Sequence, residues 1–179
     1  MARPPVYDGK DGDTDMPLTR RNFLTSSSSV ILGAAFATSA CAKTGPAEKF
    51  ELTLTDAEWK KRLSPAAYAT LRKEATDRPG NSPFLNEKRA GIFSCAGCAL
   101  PVYSSKTKFD SGTGWPSFWA ALPNAVRNRT DSTLGFARVE EHCRRCGGHL
   151  GHVFDDGPKP TGKRHCINGT ALTFTPGRA

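Results

Sequence analysis

The sequence has no long hydrophobic run. Its longest apolar stretch, Val30 to Ala37, is eight residues, against the roughly 20 that a membrane-spanning helix needs, which argues against an integral membrane protein. Cysteine is scarce: six in 179 residues is too sparse for a disulfide-dense miniprotein. A repeat at solenoid period is also missing, and the length fits one domain, or one domain plus a targeting segment. Acidic residues are in deficit, 17 Asp+Glu against 25 Lys+Arg, for a net charge of +8. That imbalance suggests nucleic acid, whereas the cysteines suggest a metal or redox chemistry.

The amino-terminal region reads as an address. Residues 1–18 are rich in Pro, Gly and Asp and form a tail without apolar periodicity. Arg20-Arg21-Asn22-Phe23-Leu24 then precedes a small, weakly apolar stretch from Thr25 to Ala40, which resembles a twin-arginine export signal. Four consecutive serines (Ser26 to Ser29) make a poor core helix of the same stretch. Ala40-Cys41-Ala42 satisfies a small-x-small cleavage rule after Ala42. The alternative is a loose lipobox, Thr38-Ser39-Ala40-Cys41, with Cys41 lipidated. The expected organisation is a signal segment over residues 1–42, a linker over 43–54, and one domain over 55–179. Such a protein is periplasmic, and attached to the membrane only if Cys41 carries a lipid. Arg3, Lys10, Arg20 and Arg21 cancel Asp8, Asp11, Asp13 and Asp15, so the remainder keeps the whole +8.

Thr55-Asp56-Ala57-Glu58 is a capping box that predicts a helix containing Trp59 and Leu63. Ser64-Pro65 predicts a second helix, with an N-cap followed by proline at the first helical position, and with Tyr68 and Leu71 on one face. From Gly91 onward short apolar pieces alternate with turn residues. Gly91 to Ser94, Leu100 to Tyr103, Thr133 to Glu140, Gly151 to Phe154 and Ala171 to Phe174 read as strands. The fold class is mainly β: two short helices leading into antiparallel sheets.

Cys95-Ala-Gly-Cys98 and Cys143-Arg-Arg-Cys146 are two C-x2-C pairs, which together supply four thiolates for a closed tetrahedral site. Gly97 and Gly147 stand where such turns require a permissive backbone. A full four-thiolate shell leaves no position for substrate, so the metal is structural. Zinc and a four-cysteine iron centre both suit it, and disulfides would stabilise far less than a metal. The remaining cysteine of the domain, Cys166, follows Lys163-Arg164-His165. Nearby positive charge favours thiolate, the nucleophilic form, although a buried structural cysteine is the commoner fate of the residue type. All four histidines (His142, His149, His152 and His165) fall within 24 residues that also hold Cys143 and Cys146 and end beside Cys166, and His149 and His152 are plausible proton donors beside the thiol. Trp115, in Ser111-Gly-Thr-Gly-Trp-Pro-Ser-Phe118, suits either a core or the wall of an apolar pocket.

Taken together, the two cysteine pairs, Phe109 to Phe118, His149-Leu-Gly-His-Val-Phe154 and Arg164-His-Cys-Ile-Asn168 resemble the methionine sulfoxide reductase B family over about residues 50–176. The resemblance implies a zinc-stapled β-tent and reduction of the R-epimer of methionine sulfoxide in peptides and proteins. It implies that Cys166 attacks the sulfoxide sulfur and that Trp115 receives the substrate methyl group. His149, His152, Asp156 and Arg164 would orient substrate and assist protonation of its oxygen, with Asn168 near the nucleophile. Cys95, Cys98, Cys143 and Cys146 would hold structural Zn2+. Many family members carry a second, resolving cysteine where this chain has Thr113, so an external thiol, a thioredoxin-like protein or a small thiol, is expected to regenerate Cys166. His165 stands where a tyrosine is common, and is expected to depress the Cys166 pKa further. A monomer is expected. The competing reading, a basic zinc-ribbon module for nucleic acid or protein, leaves Cys166 and the paired histidines unexplained. Its basic residues also scatter instead of forming a stripe, so no nucleic acid is expected.

Overall fold

A computed structural model describes residues 48–179. The expected signal segment and Cys41 lie outside the described residues. Both helices start where their caps predict, and the first stops one residue short of Leu63, which caps it in extended conformation. Helix α1 (Asp56–Arg62) opens on the reciprocal Thr55/Glu58 capping box. Helix α2 (Pro65–Lys73) opens on the Ser64 hydroxyl, which accepts from the Ala67 amide at 3.2 Å, with Pro65 in the first turn. Trp59 and Leu71 turn inward and are buried, while Tyr68 is half-buried.

The rest is antiparallel β structure in two sheets. The smaller places β1 (Gly91–Cys95) between β2 (Pro101–Ser104) and β9 (Leu172–Pro176). The larger has six strands, β3 (Lys108–Phe109), β4 (Ser117–Phe118), β5 (Val126–Asp131), β6 (Arg138–Cys143), β7 (His149–Phe154) and β8 (Arg164–Ile167). Their order is β3-β4-β8-β7-β6-β5. Phe93, Val102, Tyr103, Phe118, Leu150 and Ile167 are fully buried. Phe118 stacks on Tyr103 with ring centroids 4.3 Å apart and meets Phe93 edge-on at 5.1 Å, the offset geometries aromatic quadrupoles favour.

Three departures from the sequence reading have physical causes. Residues 133–137 are not strand: the Asp131 carboxylate accepts from the Thr133 amide (2.9 Å) and hydroxyl (2.7 Å), closing a local turn that competes with a ladder. Strands β5 and β8 were not anticipated, because Val-Arg-Asn-Arg-Thr-Asp and Arg-His-Cys-Ile show no apolar alternation. Residues 48–54, expected as linker, are docked. The Leu52 amide donates to Arg145 at 3.0 Å, Phe50 meets His142 edge-on, and Glu48 pairs with Arg127 at 2.7 Å.

Candidate functional site

The four cysteines converge from both sheets. Cys95 ends β1 and Cys98 follows it in the turn, while Cys143 ends β6 and Cys146 lies in the turn before β7. All four are buried, with their sulfurs within 4.8 Å of one another. Across the pairs, Sγ of Cys95 lies 3.7 Å from that of Cys146, and Sγ of Cys98 lies 3.4 Å from that of Cys143. These separations are far too long for disulfides and close to the roughly 3.8 Å edge of a tetrahedron with 2.3 Å metal–sulfur bonds. Hydrogen bonding within the cluster, with Cys143 foremost, raises the pKa of Cys95 and lowers that of Cys98. A central cation removes that competition. The donor set therefore fits a thiophilic structural metal.

Each turn closes on a left-handed residue. In the second it is Gly147 (φ +66°), where a Cβ would also lie 2.5 Å from the Phe50 ring. In the first it is Ala99 (φ +57°), not Gly97 as the sequence suggested. An L side chain in that region costs roughly 1–2 kcal/mol, and glycine's extra unfolded-state entropy returns part of it. Ala99→Gly is therefore expected to stabilise the metal-loaded protein by about 1 kcal/mol. The check is its urea midpoint, which should rise at constant slope.

The second site is a cleft on the outer face of β7 and β8. In their register His152 stands opposite Cys166 and Gly151 opposite Ile167. A Cβ on Gly151 would lie 2.1 Å from the Cys166 carbonyl oxygen, so the strands approach this closely only with glycine there. Cys166, Trp115, His152, Phe154, Arg138 and Asn168 line a cavity of about 140 Å³. Trp115 is held by its edge: its indole N–H donates to the Asp77 carbonyl at 2.9 Å. The Asp77 amide donates to Asn168 Oδ1 at 2.9 Å, and the Asn168 amide group donates to the Leu150 carbonyl at 3.1 Å. Asn168 therefore positions the tryptophan as well as lining the cleft.

Two histidine–carboxylate pairs back the cavity. His152 Nε2 lies 2.8 Å from Asp131 Oδ2, and His149 Nδ1 lies 2.7 Å from Glu140 Oε1. The two imidazoles meet edge-on at 5.4 Å. The Thr133 amide and hydroxyl, then His152 and Arg138, hold the Asp131 carboxyl far below its ordinary range. Burial raises the Glu140 pKa, but His149 and Arg129 outweigh it and leave the group below its usual value. Burial lowers His152, and Asp131 offsets only part of that. Burial therefore favours the neutral form of His152. Its Nε2 proton is assigned to the bond with ionised Asp131, which leaves Nδ1 as the nitrogen free to accept a proton. His149 is 3% exposed and is not part of the cavity wall; its Nε2 is buried without a partner. Asp131, Glu140 and Arg138 carried no motif, since they sit in a hairpin the sequence disguised.

The three basic neighbours of Cys166 do not act together, because successive side chains on a strand point to opposite faces. Lys163 pairs with Asp155. His165 turns to the core side, 2.6 Å from the fully buried Glu141, which also accepts from Tyr103. The expectation that His165 lowers the Cys166 pKa fails on that geometry. Arg164 remains on the cleft side, gripped by Asp156 through two 2.8 Å bonds and lying 4.4 Å over the Phe154 ring. Asp156 itself is exposed and reaches the site through Arg164. Burial raises the Cys166 thiol above its usual pKa, and Arg164 and the Thr113 hydroxyl offset part of the rise. Thr113 Oγ1 lies 4.0 Å from Cys166 Sγ, so the loop residue at the expected resolving position does face the thiol. Among the described residues Cys166 is the one cysteine outside the four-sulfur cluster.

Residues 63–176 match the SelR domain. The chain is 52% identical over 123 residues to a peptide methionine sulfoxide reductase MsrB of Thiobacillus denitrificans, covering 68% of this chain and 93% of the relative. It is 49% identical over 123 residues to an MsrB of Agrobacterium fabrum, covering 68% and 91%. It is also 48% identical over 128 residues to the chloroplastic peptide methionine sulfoxide reductase B1 of Arabidopsis thaliana, covering 70% and 63%.

Proposed function

This chain belongs to the methionine sulfoxide reductase B family, and from that premise we propose that it reduces the R-epimer of methionine sulfoxide in peptides and proteins through a Cys166 thiolate. The observation that carries the reading is one cavity lined by a half-buried thiol, an edge-tethered indole and a histidine paired with a carboxylate. Sulfoxide sulfur becomes electrophilic when its oxygen is protonated or hydrogen-bonded. His152 takes the proton of Cys166 and returns it to that oxygen, with His149 behind it, while Trp115 meets the methyl group. Arg164, held by Asp156, favours the thiolate. The sulfoxide oxygen passes to the Cys166 sulfur, so methionine leaves as the two-electron-reduced product and Cys166 becomes a sulfenic acid.

With Thr113 in the loop, an external thiol attacks that sulfenic acid, releasing water and forming a mixed disulfide. A second thiol equivalent then frees Cys166. A thioredoxin-like protein or a small thiol fits this role, and the protein acts as a monomer. The four-cysteine cluster holds zinc, whose closed shell supplies folding energy and no chemistry. Residues 1–42 direct the enzyme to the periplasm as a twin-arginine signal, and Cys41 anchors it to the membrane only if lipidated.

The test is a single turnover without reductant. One equivalent of methionine should form from the R-sulfoxide and none from the S-sulfoxide, with one oxygen added to the peptide containing Cys166. Equal turnover of both epimers, or a disulfide between Cys166 and another cysteine, would refute the reading.

A further inference from the structure

Among the described residues three large apolar side chains stand exposed, and all three belong to the β5–β6 hairpin: Leu134 at 61%, Phe136 at 59% and Val139 at 43%. Exposed apolar residues scattered singly need no explanation, but a pair at one hairpin tip beside a cleft marks a contact surface. The same hairpin builds the cleft. Arg138 is one of the cavity walls, and Asp131 holds His152. Arg138 and Asp131 are themselves joined at 2.5 Å across the base of the tip. The Phe136 ring lies 5.8 Å from the Arg138 guanidinium carbon, so the apolar tip is continuous with the mouth of the cavity. Val139 follows Arg138 on β6 and so points to the opposite face of the strand.

We propose that Leu134 and Phe136 form the docking surface for the polypeptide that carries the oxidised methionine, receiving an apolar side chain close in sequence to it. This deepens the assignment of Cys166 chemistry above and rests on it. The cavity, at about 140 Å³, takes the sulfoxide head and leaves the flanking residues of a polypeptide on its rim. An extended chain advances roughly 3.3–3.6 Å per residue, so a side chain two positions from the methionine lies about 7 Å along the rim. That reach is comparable to the separation of Phe136 from the Arg138 wall. The one other large apolar side chain exposed on the described surface, Val139, points to the opposite face of β6.

The test compares two substrates, with dithiothreitol as reductant for both. One is an oxidised peptide with leucine or phenylalanine flanking its methionine sulfoxide; the other is N-acetylmethionine sulfoxide amide, which has no flanking residues. In the Leu134→Ser/Phe136→Ser variant, kcat/KM on the peptide should fall roughly tenfold, through KM, a change of about 1.4 kcal/mol. On the small substrate it should stay within about twofold, and Val139→Ser should leave both unchanged. An equal loss on both substrates would mean that the tip supports the cleft and docks nothing. Unchanged peptide kinetics would also overturn the proposal. So would a loss seen only when a protein dithiol replaces dithiothreitol, which would make the tip a surface for the reductant. If the wild type reduces neither substrate, the assignment of Cys166 chemistry falls, and docking with it.

Discussion

Removing the metal from the four-cysteine cluster is expected to unfold the domain. Its ligands come from both sheets: Cys95 and Cys98 from the end of β1 and its turn, Cys143 and Cys146 from the β6–β7 connection. Arg145 adds a hydrogen bond to the Cys98 carbonyl at 3.2 Å between the two turns, and the cluster lies in the hydrophobic core beside Leu71. Apparent binding energies of structural zinc sites are about 10–16 kcal/mol, as large as the whole stability of a typical domain, about 5–15 kcal/mol. One metal per chain is expected by elemental analysis. A strong chelator should abolish the cooperative thermal transition seen by circular dichroism, and Cys95→Ser or Cys146→Ser should do the same without chelator. A protein emptied of metal that kept its melting temperature within a few degrees would show the cluster to be dispensable. Iron in place of zinc would declare itself by visible absorption.

Cys166→Ser is expected to lower kcat/KM by about 10⁴-fold or more while leaving the melting temperature unchanged. The size of the loss follows from the chemistry: an alcohol oxygen cannot take up the sulfoxide oxygen as sulfur does, so no slower version of the same step remains, and loss of a nucleophile typically costs several decades. Stability should hold because Cys166 is only half-buried and serine keeps both its size and a hydroxyl to face Thr113. The pH profile carries a second check. Since burial raises the Cys166 pKa, the wild-type rate in single turnover should climb with pH through neutrality toward that raised value. Arg164→Met, which removes the main offsetting charge, should move the climb to still higher pH. Activity within tenfold of wild type in Cys166→Ser would end the assignment of the nucleophile.

Much of this was legible in the chain, and the reasons differ by feature. The helices announced themselves because caps are local: Thr55 with Glu58, and Ser64 with Pro65, need nothing beyond one turn. The metal cluster was legible because C-x2-C fixes two ligands at one turn, and only the pairing of the two turns is tertiary. The electrostatics of Cys166 is not legible in the same way, because neighbours along a strand are not neighbours in space. On β8 the pleat sends His165 to Glu141 and leaves Arg164 alone with the thiol. Asp131 and Glu140 stayed hidden for a related reason. Each becomes a histidine's partner only when β6 pairs with its neighbours, and a lone carboxylate in a polar hairpin carries no signature. Net charge carried little: Arg127, Arg129, Arg138, Arg144 and Lys163 are each tied to a carboxylate.

The place of β9 has a consequence for how the chain reaches this state. Its five rungs against β1 join residues about 80 positions apart, Gly91 with Pro176 through Cys95 with Leu172. Such a closure is entropically late, and topologies dominated by distant pairings fold in milliseconds to seconds rather than microseconds. During synthesis, β1 therefore emerges with one edge unpaired and keeps it so until Leu172–Pro176 is made. All four metal ligands, ending at Cys146, emerge before that closing strand. The order of emergence lets metal capture precede sheet closure and hold β1 in place while it waits for its partner.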